Sequence, residues 1–243
     1  MKVMNRATFV AGGLLAVFAS SVVAQGDVVV GDSVSLSFEG VSPSRAVSWT
    51  FDDGSTVNTG TNAAGVFNWS GGVKSFCIQL EENISNGTTV DYDVVELENL
   101  PDQPPMPGPL GDARAEVMRD LYARNYDFVM SQTGSDARDY AAAFQVMVWE
   151  ISHELSADTT DASSVLAGLS INAGQASFNA SSNVIGFAQI MLDGLGDGGF
   201  LGFSKVIGLT DENRQDQLTV VPGAGALAGL AGVAAIRRRR RRD

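Results

Sequence analysis

The hydrophobic period of this chain switches from strand to helix at a cluster of prolines, and that change constrains the fold more than any other feature. Five of the seven prolines lie between Pro101 and Pro109. Such a run is stiff and cannot join a helix or an inner strand. Before it, Val34, Leu36 and Phe38 alternate with serines, the two-residue period of a half-buried strand. Ala46 to Phe51, Val66 to Trp69 and Val73 to Leu80 are similar runs. Asp52-Asp53-Gly54-Ser55 and Ser70-Gly71-Gly72 supply turn chemistry between them. Asn86-Gly87 predicts a hairpin that returns the Val73–Leu80 strand to a partner at Thr88–Leu97.

After the prolines the period becomes helical. Asp112 is placed to cap a helix running to about Met130, and Asp136 to cap a second over Ala137–Leu155. The second carries Tyr140, Phe144, Met147, Val148, Ile151 and Leu155 at close to 3.6-residue spacing. Shorter helices are predicted near Ser163–Leu169 and Val184–Leu192, then closing strands at Phe203–Leu209 and Gln217–Val221. The expected class is α+β: a β-sandwich or barrel with an inserted helical subdomain at about residues 111–195. No internal repeat is present.

Both ends read as addresses rather than fold. Lys2 and Arg6 precede an apolar run that finishes at Val22-Val23-Ala24, the pattern of a secretory signal peptide over residues 1–24. The expected body is residues 25–217. Residues 218–243 carry Val221-Pro222-Gly223-Ala224-Gly225, a short apolar stretch to Ile236, six arginines from Arg237 and Arg238 to Arg242, and Asp243. The stretch is shorter than the ~20 apolar residues of a comfortable membrane span. The arginine block is a stop-transfer signal. This tail resembles the PEP-CTERM sorting signals of bacterial envelope proteins, with Val221-Pro222-Gly223 where that family has Pro-Glu-Pro. The resemblance implies an exported protein, handled by signal peptidase and an exosortase-like sorting enzyme, and held in the membrane by its C-terminal segment until processed. A permanent weak anchor is the alternative.

Charge narrows the partners. Outside the signal and the arginine tail, 8 cations face 27 acids, a net charge near −19. A body that acidic repels nucleic acid and anionic lipid. About 195 residues remain, enough for one domain with a real core.

Cys77 is the only cysteine and His153 the only histidine, so a zinc site cannot be assembled from them. Asp193-Gly-Leu-Gly-Asp197 and Asp211-Glu212-Asn213 have oxygens for calcium but lack EF-hand spacing, and read as polar loops. An unpaired thiol outside the cell is exposed to oxidation unless something occupies the sulfur. A glutamine carboxamide can do so: the thiol attacks, ammonia leaves, and an internal thioester remains. Gln145 is the candidate. It sits at the edge of the helical stripe beside Val148, with Trp149 one turn later. A helix with a tryptophan off its main stripe is contacted from two sides, and a second contact with the Cys77 strand would bring the two groups together.

Two strings carry a second resemblance: Phe76-Cys77-Ile78 on a strand, and Phe144-Gln145-Val146-Met147-Val148-Trp149 on a later helix. Together they resemble the bacterial surface thioester domains, over about residues 60–217. Phe144 stands where that family often has Thr, and Met147 where it often has Ala. The resemblance implies a Cys77–Gln145 thioester shielded by Phe76, Ile78, Phe144, Val148 and Trp149. It implies covalent adhesion to an amine or hydroxyl nucleophile on a surface or matrix partner, with no catalytic turnover, cofactor or metal. Two alternatives stand beside it. Cys77 can be a small buried hydrophobe in a non-reactive structural module of the envelope or matrix. Or Cys77 and His153 can form the nucleophile pair of a cysteine hydrolase.

Overall fold

A computed structural model describes residues 29–101, 108–155 and 159–221. The expected signal peptide, residues 1–24, and the expected sorting-signal residues Pro222, Gly223, Arg237 and Arg238 lie outside the described residues. Among the described residues, seven strands and four α-helices follow in the order β1 (Ser33–Asp52), β2 (Val57–Trp69), β3 (Lys74–Cys77), β4 (Thr89–Val95), α1 (Gly111–Ser131), α2 (Gly134–His153), α3 (Ala162–Gly168), β5 (Ala176–Asn179), α4 (Ser182–Gly194), β6 (Val206–Asp211) and β7 (Arg214–Val220). The class is α+β, with a barrel-like antiparallel sheet and the helices between the fourth and sixth strands.

The sheet runs β2-β3-β7-β6-β4-β1-β5, and β1 also pairs with β2, so six strands form a ring. One strand can serve both sides because it is long and bent. Ser33–Ser37 pairs with β4, and Phe38–Asp52 with β2. The register slips between Phe38 and Gly40 and again between Val41 and Ser44. Such bulges turn a strand and increase its twist. Gly65 sits opposite Ser44 at the second slip with φ 155°. A Cβ there would fall against the Pro43 carbonyl oxygen and the Ser44 Cα. Beyond the bend, Ser48–Phe51 pairs with β5 on the edge that β4 has left.

Inside the ring Trp69 packs on Phe38 (ring centroids 5.1 Å apart) and edge-on to Tyr92 (5.5 Å). Helix α2 lies across the outside and touches β1, β2, β3, β5, α1 and α4. Every residue from Ala141 to His153 is buried, so this helix is covered on all sides. A helix of that kind belongs to a core. Tyr140 is only half-buried and stacks on Phe187 of α4 at 3.9 Å.

Several local expectations change. The helices are where the periodicity puts them, but Asp112 and Asp136 lie in first turns and cap neither α1 nor α2. Asp161 and Ser181 do cap α3 and α4. Asn86-Gly87 forms a turn, with the Thr88 N–H donating to the Ser85 carbonyl, yet it does not pair β3 with β4. Those strands are separated in the sheet by β7 and β6. Turn chemistry fixes where the chain reverses; which strand it then meets depends on the apolar faces available. The loop after α4 is organised by Asp120, which accepts from Arg124, Gly196 and Leu201. Arg124 in turn donates to the carbonyls of Asp197 and Gly199.

Gly65→Ala is expected to destabilise the protein by roughly 2 kcal/mol or more, a backbone clash in a conformation unfavourable to side chains. Denaturant titration checks it. An unchanged midpoint would mean that the β1–β2 bend tolerates a side chain there.

Candidate functional site

The site begins where two strands part. β2 and β3 pair only at Phe67↔Ser75 and Asn68↔Lys74. Extending that register would set Gly65 opposite Cys77, but at Gly65 β2 is committed to the bend of β1. On its other edge β3 pairs with β7 through Cys77↔Gln217. Cys77 is therefore left with a backbone N–H and C=O facing a gap, and buried backbone groups need partners.

Gln145 fills the gap. The Cys77 N–H donates to Gln145 Oε1 at 3.1 Å, and Gln145 Nε2 donates to the Cys77 carbonyl at 2.7 Å. A side-chain carboxamide thus takes the position a neighbouring strand would occupy. Both residues are buried, Cys77 at 1% exposure and Gln145 at 0%. The distant strings Phe76-Cys77-Ile78 and Phe144–Trp149 meet at this point. Phe76 and Phe144 pack at 4.6 Å, Tyr122 stands edge-on to Phe144 at 5.0 Å, and Ile78, Val148 and Trp149 are buried beside them. Trp149 also stacks on Phe178 of β5, centroids 6.1 Å apart.

Sequence reasoning did not identify the amides around this pair. Gln79 Oε1 accepts from the Asp216 N–H. Gln215 Nε2 donates to the Gln79 and Glu82 carbonyls. Trp69 Nε1 donates to Ser75 Oγ, which donates to Gln217 Oε1. Asn62 Nδ2 donates to the Leu80 carbonyl across the same gap. The signal lay in alternation: Ser75, Cys77 and Gln79 share one face of the strand, and Gln215 and Gln217 share one face of β7.

A cavity of about 260 Å³ opens over the gap. Its lining includes Asn62, Asn86, Gln215, Ile84, Cys77 and Trp149, and no charged side chain among the described residues. Burial pushes the Cys77 thiol far above its ordinary pKa, opposed by the Trp149 indole N–H and then by its own backbone amide. The sulfur is therefore a neutral thiol, in contact with the Gln79 carbonyl oxygen at 3.7 Å. The Trp149 indole N–H lies beside the sulfur but has no hydrogen-bond acceptor at ordinary geometry.

His153 lies in a different environment, one turn beyond Trp149. Its Nδ1 is at 3.1 Å from the Trp149 carbonyl and 2.8 Å from Ser152 Oγ. Its ring stands edge-on to Phe51 at 5.0 Å. Burial, above all, lowers its pKa to about 3, so it is neutral and weakly basic. No hydrogen bond joins it to Cys77 among the described residues. Nearby Glu150 is pushed up to about 8 by burial, while its Oε1 accepts from the Ser170 N–H.

These two groups set opposite pH slopes. Glu150 is raised from 4.5 when folded, so its contribution is fully present below pH 4.5 and is lost as pH rises to about 8. His153 is lowered from 6.5, so its contribution is present above pH 6.5 and is lost as pH falls toward 3. Stability should peak between about pH 4.5 and 6.5, where the slopes cancel. Glu150→Gln should flatten the loss between pH 6.5 and 8 in denaturant titrations; an unchanged slope would assign that loss elsewhere.

Compared with protein families, with curated proteins and with solved structures, the chain matches none. The chemistry of the site therefore rests on its own geometry.

Removing the Gln145 side chain leaves both Cys77 backbone groups buried and unpaired, each costing about 1–3 kcal/mol. Gln145→Ala should lose roughly 3 kcal/mol, well above the loss for Cys77→Ala. Equal losses would mean that the carboxamide does not hold the strand.

Proposed function

We propose that this is an exported surface protein whose Cys77 and Gln145 form an internal thioester, and that it attaches itself covalently to an amine or hydroxyl on a partner. The observation that carries the proposal is the pair of hydrogen bonds fixing the Gln145 carboxamide on Cys77 in a buried setting.

The geometry favours the chemistry in three ways. The acyl group is held beside the residue that bears the nucleophile, and intramolecular reactions of that kind gain effective molarities of roughly 10⁵–10⁸ M. The Cys77 N–H already points at Oε1, where negative charge develops as the carbon becomes tetrahedral, which is the role of an oxyanion-hole donor. The Cys77 carbonyl holds Nε2, the atom that must depart. The Cys77 S–H adds across the carboxamide carbon; the Sγ–Cδ bond forms, the Cδ–Nε2 bond breaks, and the thiol proton leaves with nitrogen as ammonia. The neutral thiol suits this, because its proton is needed by the leaving group. The apolar cover of Phe76, Phe144 and Trp149 then keeps water from the bond. A partner's amine or hydroxyl later takes the acyl group and returns the proton to sulfur.

One observation favours a second reading. The same two hydrogen bonds satisfy the orphaned edge of β3 with no reaction at all, as a non-reactive structural module of the envelope would require.

Intact mass separates the two. The thioester form should be lighter than the processed sequence by one ammonia. Methylamine should add at Gln145 and expose one alkylatable thiol, and Cys77→Ala should abolish both. A wild-type chain at its full mass, inert to methylamine, contradicts the proposal and leaves the structural module.

A further inference from the structure

Opening a thioester puts charge on sulfur. The nucleophile attacks Gln145 Cδ, the Cδ–Sγ bond breaks, and the electron pair goes to Sγ; the nucleophile's proton finally restores the thiol. Until it arrives, sulfur is an anion in a cavity lined, among the described residues, by no charged side chain. Such an anion needs a hydrogen-bond donor. The Cys77 backbone N–H is already given to Gln145 Oε1, and His153 is engaged with Ser152 and the Trp149 carbonyl.

Among the buried side chains of that lining, one donor stands beside the sulfur without a conventional acceptor. Trp149 is fully buried, yet its Nε1–H has no conventional acceptor. Buried tryptophan N–H groups usually find one, and the group that this N–H faces is the Cys77 sulfur. Its position follows from the helix. Trp149 is four residues after Gln145 and so rises on the same face of α2, which brings the indole over Cys77 as a wall of the same cavity. Its stacking on Phe178 fixes the ring.

We propose that the Trp149 indole N–H is the donor that receives the charge developing on the Cys77 sulfur when a nucleophile opens the thioester. Trp149 is then a catalytic residue of the opening step as well as a cover. The inference rests on the thioester reading of Cys77 and Gln145. It assigns the two ends of the breaking bond to two donors: the Cys77 N–H serves the acyl oxygen, and the Trp149 N–H serves the leaving sulfur.

The test replaces Trp149 in the full chain with 3-benzothienylalanine, which keeps the ring shape and exchanges N–H for sulfur. Loss of ammonia and the rate of methylamine addition are followed by intact mass. The substituted chain should lose ammonia as the parent does, and should react with methylamine slower by on the order of tenfold, below the full loss seen when an oxyanion donor is removed. Addition at the parental rate overturns the inference while leaving the thioester intact. A folded substituted chain that never loses ammonia also overturns it, since the N–H would then serve formation of the bond. A parent chain at full mass overturns the thioester reading and this inference with it.

Discussion

The contact on which the site depends is between one carboxamide and one residue's backbone. Gln145 supplies both an acceptor and a donor to Cys77, and so completes a strand edge that no strand can reach. The need for it arises far away in sequence. β1 bends to close the ring, Gly65 follows the bend, and β2 can no longer accompany β3. A helix buried on every side then bridges the gap with a side chain. Sheet closure, helix burial and the meeting of Cys77 with Gln145 are one consequence of the same geometry.

Burial determines the chemistry available there. The chain is strongly acidic, yet the cavity over Cys77 is lined by amides, aromatic rings and aliphatic groups. The buried thiol and His153 are held neutral by the same cost of placing charge in a low-dielectric interior. A neutral thiol beside a polarised carboxamide is poorly suited to repeated hydrolysis, which needs a base and access for water. The proposed thioester would ask of it a single internal acyl transfer followed by long protection of the product. In the proposed thioester, the Trp149 indole N–H beside the sulfur would be the donor at the one moment when charge must appear.

Much of this was legible in the sequence, for physical reasons. The change of hydrophobic period at the prolines located the four helices and the α+β class, because burying one face imposes its spacing on the chain. Cys77 and Gln145 could be linked because Trp149 lay off the main stripe of α2, which implied a second covered face. The strand pairing was not legible. Asn86-Gly87 signals a reversal, but the choice of β1 and β6 as neighbours of β4 depends on ring closure, which no local string encodes. The short strand Ala176–Asn179 was hidden between two helices. The amide network of Gln79, Gln215 and Gln217 escaped notice because glutamine on a strand reads as a solvent-facing residue until both faces are known to be covered.

The central claim is that the contact between Gln145 and Cys77 matures into a covalent bond, and a high-resolution crystal structure of the purified protein tests it most directly. The account predicts continuous electron density from Cys77 Sγ to Gln145 Cδ, with Oε1 still at the Cys77 N–H and no atom at the Nε2 position. Separate side chains, with an intact amide donating to the Cys77 carbonyl, would contradict it.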